Sequence, residues 1–146
     1  RRQRQMCIRD RPTAVDGDMQ RLSQVVGNLL DNSIRHCERG DRCHVSVHPH
    51  VGQALLVVQD DGPGIGADDL PRVFDRRYRG RAAHASGSGI GLAVVQEIVR
   101  AHHGTVEITS DVGDGTRVEI RLPCRADPTL PGSGSSHRPK VDLAAR

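Results

Sequence analysis

Three groups of residues have the types and spacing for binding chemistry. Asn28 and Asn32 stand four apart in a segment of helical period, so their carboxamides share one face. Arg35 and His36 follow one turn on. Carboxamide oxygens are hard, neutral ligands that suit Mg2+ when phosphates supply the negative charge. Asp60 closes an apolar run and opens the loop Asp60-Asp61-Gly62-Pro63-Gly64-Ile65-Gly66. Glycines there let the backbone approach a ligand closely. A carboxylate at that place accepts a hydrogen bond from the exocyclic amine of adenine and turns away guanine, which offers an acceptor instead. Gly87-x-Gly89-x-Gly91-Leu92 leads into a second helical segment, whose first N–H groups and dipole favour phosphate. Its spacing is neither that of a Rossmann turn nor that of a P-loop. Each group also has a plainer reading: a polar helix flank, a tight turn, a glycine-rich helix start.

The elements that must carry these residues follow from periodicity. Met19, Leu22, Val25, Val26, Leu29, Leu30 and Ile34 recur at helical spacing, with Asp18 as N-cap and Gly40 as the stop. Cys43, Val45 and Val47 alternate with His44, Ser46 and His48, the pattern of a half-buried strand. Residues 54–58 are nearly all apolar, as in a central strand that delivers Asp60 to its end. A short helix is expected around Asp68 to Val73. Asp75 to Gly87 is polar, aperiodic and long enough to be a lid or binding loop. A second helix starts near Ser88 and buries Ile90, Leu92, Ala93, Val95, Ile98 and Val99 until Gly104 ends it. Thr105 to Ser110 and Thr116 to Leu122 read as a hairpin turned by Asp111 to Gly115. This order predicts an α+β, two-layer sandwich with helices on one face of a mixed, mostly antiparallel sheet. The expected organisation is a linker or stump over 1–14, one domain over 15–123, and a structureless tail over 124–146, rich in Pro, Gly and Ser.

Composition narrows the function classes. With 146 residues and an aromatic content of 1%, the core must come from Val, Ile, Leu and Ala. Phe74 and Tyr78 are too few to stack bases, so the net charge of +3 does not point to nucleic acid. No apolar run reaches the length of a membrane span, and a cytoplasmic setting is expected. Cys7, Cys37, Cys43 and Cys124 form no C-x-x-C. A metal site drawing on Cys37, Cys43, His36 and His44 would match no structural zinc spacing, and free thiols are the expectation.

Taken together, the blocks "NLLDNSIRH" (Asn28 to His36), "DDGPGIG" (Asp60 to Gly66), "VFDRRYRG" (Val73 to Gly80), "GSGIGLAVVQEIVRAHHG" (Gly87 to Gly104) and "GDGTRVEIRLP" (Gly113 to Pro123) resemble, in that order, the ATP-binding catalytic domain of bacterial sensor histidine kinases. That domain belongs to the superfamily shared with gyrase, Hsp90 and MutL, with its Bergerat ATP-binding fold. The resemblance spans Asp16 to Pro123. It implies that Asn32 is the main Mg2+ ligand with Asn28 beside it, and that Arg35 reaches the phosphates of ATP. Asp60 would read the adenine amine, supported through water by Thr116. Gly62, Gly64 and Ile65 would shape the base pocket, and Gly87, Gly89, Ile90, Gly91 and Leu92 would lie along the phosphates. Tyr78 and Arg79 would belong to the lid, Arg79 near the γ-phosphate.

The chain departs from that pattern twice. His36 stands where an aromatic, usually Tyr, flanks adenine, and Arg77 replaces the second Phe of an F-x-x-F lid segment. None of the eight histidines is followed by Asp or Glu, as a phosphorylated histidine of this family is. The resemblance therefore implies an acceptor histidine on a separate phosphoacceptor and dimerisation domain, and a response regulator downstream. The acceptor would lie in the same polypeptide, if the sequence is a fragment, or on another protein, as in a split kinase of the arginine-rich, actinobacterial kind. An anti-sigma factor serine kinase and a non-catalytic ATP-binding regulatory module are the other readings.

Overall fold

The computed structural model describes residues 14–78 and 89–125 and the backbone of residues 143–145. Helix α1, Met19–His36, begins where the Asp18 side chain accepts from the Arg21 N–H, and it ends at an extended Cys37. It stops four residues before Gly40, whose φ of +111° serves the turn into the sheet instead. Strands β1 (Cys43–His50) and β2 (Gln53–Asp60) form a hairpin through Val51 and Gly52. The expected helix over 68–73 is a three-residue 3-10 turn, Leu70–Arg72, which Pro71 opens. Helix α2 is Gly91–Ala101, followed by β3 (Thr105–Asp111) and β4 (Gly115–Pro123).

The sheet runs β3-β4-β2-β1-β5, and all its pairings are antiparallel. Here β5 is Leu143–Ala145, lying against Cys43 to Val45 within the stretch that the sequence leaves without an element. Residues 143–145 are Leu-Ala-Ala, small and apolar, and β1 would otherwise be an edge with unpaired backbone groups. An isolated antiparallel bridge joins Val15 and Cys124.

Both helices pack on one sheet face. Val25 and Leu29 of α1 and Val95, Ile98 and Val99 of α2 meet Val58 of β2 and Val118, Ile120 and Leu122 of β4. The aliphatic composition is thus sufficient for a closed core. Two residues of the α1 stripe are turned to solvent: Met19 is 82% and Ile34 69% exposed. The place expected for Ile34 is taken by Ser33, which is buried, because the stripe runs Val25, Leu29, Ser33 at intervals of four. The opposite sheet face is held by charge. Arg121 pairs with Glu107 at 3.0 Å and Glu119 at 2.8 Å, and Arg117 bonds both Glu119 and Gln59 at 2.8 Å.

The end of α2 shows a division of labour that the sequence hides. His103, not Gly104, takes the left-handed conformation, with φ 59°. Its N–H bonds the Arg100 carbonyl and the Gly104 N–H bonds that of Val99, the paired bonds of a Schellman cap. Gly104 is needed for proximity, since a Cβ there would stand 2.4 Å from the Arg121 carbonyl oxygen. His102 then ties the two helices. Its Nδ1 bonds the Ile98 carbonyl at 2.8 Å, which sets that nitrogen as donor, and its Nε2 accepts from the Asp18 N–H at 3.0 Å. Replacing His102 with Ala removes both bonds and is expected to cost about 1 kcal/mol, or a fall of roughly 4 °C in Tm, read by thermal unfolding. An unchanged Tm would show that the tether carries no stability.

Candidate functional site

The sheet register builds the site's floor. Cys43 of β1, Asp60 of β2, Thr116 of β4 and Ser110 of β3 are successive partners across four strands. They share the parity of Val45, Val58, Val118 and Ile108, so this polar row continues the helix-facing side of the sheet beyond the apolar core. Asp60 is only 9% exposed and is held by three donors. Its Oδ1 accepts from the N–H groups of Gly62 (3.2 Å) and Thr116 (3.1 Å), and its Oδ2 accepts from the Ser33 hydroxyl at 3.0 Å. A carboxylate has about four acceptor positions. Three are used, and the remaining one is on Oδ2.

The glycine loop is pinned to the β3–β4 turn rather than standing free. Gly113 N–H donates to the Pro63 carbonyl at 2.9 Å, and Ile65 N–H to the Ser110 hydroxyl at 2.8 Å. That hydroxyl also meets the Gly115 carbonyl at 2.6 Å and the Thr116 hydroxyl at 3.0 Å. Thr116 therefore reaches Asp60 directly through its backbone, while its side chain turns to Ser110. Gly62 is buried, and a Cβ there would stand 3.0 Å from the Cys37 sulfur and 3.3 Å from Asp60 Oδ1. Burial, with Asp60 and Asp41 nearby, pushes the Cys37 thiol up to about 11, and burial also raises the Cys43 thiol. Both are neutral S–H groups near pH 7 and add no charge beside the carboxylate.

Helix α1 brings the asparagines alongside. Asn28, half-buried, donates from Nδ2 to the Gly91 carbonyl at 3.3 Å, which leaves its carbonyl oxygen as the free end of the amide. A Cβ at Gly91 would lie 3.9 Å from the Asn28 side chain, an ordinary contact distance, so this approach does not depend on glycine. Asn32 is half-buried, and its carboxamide has no hydrogen-bond partner among the described residues. A half-buried, neutral, uncommitted carbonyl oxygen one turn from Asn28 fits an octahedral cation that phosphates also ligate. Arg35 and His36 are exposed in the last turn of the same helix.

Helix α2 starts at Gly91 rather than near Ser88. Gly89 has φ +66° and its carbonyl accepts the Arg77 N–H at 2.8 Å, so helical geometry cannot begin before Ile90. No side chain caps α2, and half-buried Gly91 and Leu92 present first-turn N–H groups without intrahelical partners. The Arg77–Gly89 bond also clasps the base of the expected lid. Tyr78 lies under Arg72, whose guanidinium is 4.3 Å from the ring centre, and its hydroxyl donates to Asp69 at 2.5 Å. Tyr78, next to Arg77, is thus held by polar partners on the segment that precedes it. Arg79 and Gly87 lie outside the described residues.

The hydrogen bonds of Asn28 to Gly91 and of Ser33 to Asp60 draw three sequence-distant blocks onto one side of the sheet. Sequence reasoning missed Ser33 and Ser110. The one available signal was a small polar residue at Ser33, on the buried stripe of an otherwise apolar helix face. Among the described residues, no three His, Cys, Asp or Glu side chains gather as metal ligands, and no helix is long and apolar enough to cross a membrane.

Known proteins resemble this chain in sequence and fold. The family described as histidine kinase-, DNA gyrase B-, and HSP90-like ATPase matches residues 17–126. The chain is 40% identical over 115 residues to "Probable sensor kinase SilS" of Salmonella typhimurium, covering 77% of this chain and 23% of that protein. It is 36% identical over 109 residues to the sensor protein SrrB of Staphylococcus aureus, covering 73% of this chain and 19% of that one. The solved structure of the mycobacterial sensor histidine kinase MprB superposes with a TM-score of 0.71 at 35% identity, over 76% of this chain and 77% of that one. The matched segment is therefore about a fifth to a quarter of the curated relatives' length.

Proposed function

Because the chain belongs to the histidine kinase-, DNA gyrase B-, and HSP90-like ATPases, within the branch of sensor histidine kinase catalytic domains, we propose that it binds Mg-ATP and transfers the γ-phosphoryl group to a histidine on a separate phosphoacceptor and dimerisation domain, in two-component signalling through a response regulator. The observation that supports this reading is the convergence of Asn28 on Gly91 and of Ser33 on Asp60, which brings a buried carboxylate and a helix N-terminus to one side of the sheet.

The division of work follows from the groups present. The open acceptor of Asp60 Oδ2 takes the adenine amine, and Gly62 lets the loop backbone lie close against that carboxylate. Asn32, with Asn28 beside it, would hold Mg2+, which neutralises charge building on the phosphates. The unpaired N–H groups at the start of α2 receive phosphate oxygens. Arg35 and, in the lid, Arg79 supply positive charge where the γ-phosphoryl group leaves. None of these groups attacks phosphorus; the chain's contribution is position and electrostatics, and the nucleophile is the partner's imidazole.

The test pairs binding with transfer. Mg-ATP at a hundredfold over Kd should add about 2.7 kcal/mol to stability, seen as a raised Tm. With labelled ATP and an added acceptor hairpin from a sensor histidine kinase, label should pass to the hairpin as an acid-labile, alkali-stable phosphohistidine. Without the hairpin, only slow hydrolysis is expected. ATP binding without transfer to any hairpin, or an acid-stable phosphoserine product, would overturn the histidine kinase reading.

A further inference from the structure

Among the described residues, Ser33 and Asp60 are the buried polar side chains, and they are bonded to each other. Ser33 is 5% exposed and lies on α1 immediately after Asn32, so the helix that carries the asparagines also touches the base-reading carboxylate. The two oxygens of that carboxylate are not equivalent. Oδ1 is committed to two backbone donors, and Oδ2 faces one donor, the Ser33 hydroxyl. A hydroxyl has a single proton, and here it is spent on Oδ2. Cys43 stands opposite Asp60 across the β1–β2 pair. The Cys37 sulfur is nearby, against Gly62.

We propose that Ser33 is a positioning residue that sets base selectivity: its hydroxyl fixes Asp60 Oδ2 in place as a pure acceptor, so that the site takes a 6-amino purine nucleotide and rejects a 6-oxo one. This inference rests on the ATP-binding reading above. The physical basis is the geometry of the carboxylate. Backbone N–H groups restrain Oδ1 alone, leaving the carboxyl plane free to rotate about that end. A second donor at Oδ2, delivered by a helix rather than by the loop, fixes the plane. It also aims the one unused lone pair. Loss of the hydroxyl leaves Oδ2 in a buried place without a protein donor. The carboxyl group can then turn, carry a proton, or recruit water, and each change lets a 6-oxo purine be accommodated.

The test measures Kd for Mg-ATP and Mg-ITP, which differ at the purine 6-position, on the whole chain and its Ser33→Ala and Ser33→Thr variants, with Tm recorded for each. The wild type should prefer ATP strongly. Ser33→Ala should lose about tenfold of the ATP-over-ITP ratio, the scale of one hydrogen bond to a charged group, and Ser33→Thr should restore most of it. A purely structural Ser33 would lower Tm and weaken both nucleotides alike, leaving the ratio unchanged, and that result overturns the proposal. If Ser33→Ala does not fold, Ser33→Cys, close in volume and a weaker donor, should move the ratio in the same direction. An unmoved ratio in Ser33→Cys likewise overturns it. Failure of the wild type to bind ATP removes the ATP-binding reading itself, whereas a wild type that binds ATP and ITP alike overturns the Ser33 proposal alone.

Discussion

Asp60→Asn is expected to weaken Mg-ATP binding by on the order of hundredfold and to reverse the preference between ATP and ITP. The prediction comes from counting donors and acceptors. In the native site Oδ1 accepts two backbone N–H groups and Oδ2 accepts the Ser33 hydroxyl. An asparagine has one oxygen and one NH2. Its oxygen must take the Oδ1 position, since an NH2 there would face two N–H donors. The NH2 then takes the Oδ2 position, where Ser33 can turn its own oxygen toward it. The group presented to the base becomes a donor. Two donors meet when the base is adenine, and a buried unpaired donor costs about 1–3 kcal/mol on top of the lost charge-assisted bond. With a 6-oxo purine the same NH2 finds an acceptor. Calorimetric titration of both nucleotides decides the matter. Unchanged ATP affinity would show that Asp60 does not touch the base.

Gly64→Ala should be among the most damaging single methyls that the described residues could receive. Gly64 has φ +72°, and a Cβ there would stand 2.0 Å from the Asp111 carbonyl oxygen and 3.2 Å from that of Gly115. Both neighbours are backbone, so neither can rotate away as a flexible side chain would. The conformation alone costs about 1–2 kcal/mol for a residue with a Cβ. Relief of the clash requires the loop to leave the β3–β4 turn, with loss of the Gly113–Pro63 and Ile65–Ser110 bonds. The sum is roughly 3–5 kcal/mol, or a fall of more than about 10 °C in Tm measured without nucleotide. Gly66→Ala is the matched control. It lies in the same loop with open space around its Cβ position, and should change Tm by no more than a degree or two. Equal effects of the two substitutions would refute the packing argument.

Much of this molecule is written in local pattern, and what is not has a common cause. Periodicity located α1 and the strands because each buries one face, and it located Asp60 because an apolar run must end where polar groups begin. It misplaced Ile34 because hydrophobic spacing does not reveal that Ser33 is stabilised by a partner 27 residues away. It could not assign His103 and Gly104 their separate duties, since one is set by helix-end geometry and the other by the approach of β4. It put the start of α2 too early because the Arg77–Gly89 bond, which delays the helix, joins two chain segments. The structureless reading of 124–146 rested on composition, which cannot register a three-residue strand recruited by the exposed edge of β1. The candidate site residues were legible only as ordered motifs. Their second partners, Ser33 and Ser110 above all, were legible only in three dimensions.

The row of ion pairs on the far side of the sheet has a consequence for how such a domain travels. Glu107, Arg121, Glu119, Arg117 and Gln59 form a connected polar surface across β3, β4 and β2. A sheet covered in this way requires no companion module to shield it from water, and its charges discourage stacking against another sheet. The fold can therefore be attached to host polypeptides of very different design. That portability accords with matches spanning 23% of SilS and 19% of SrrB.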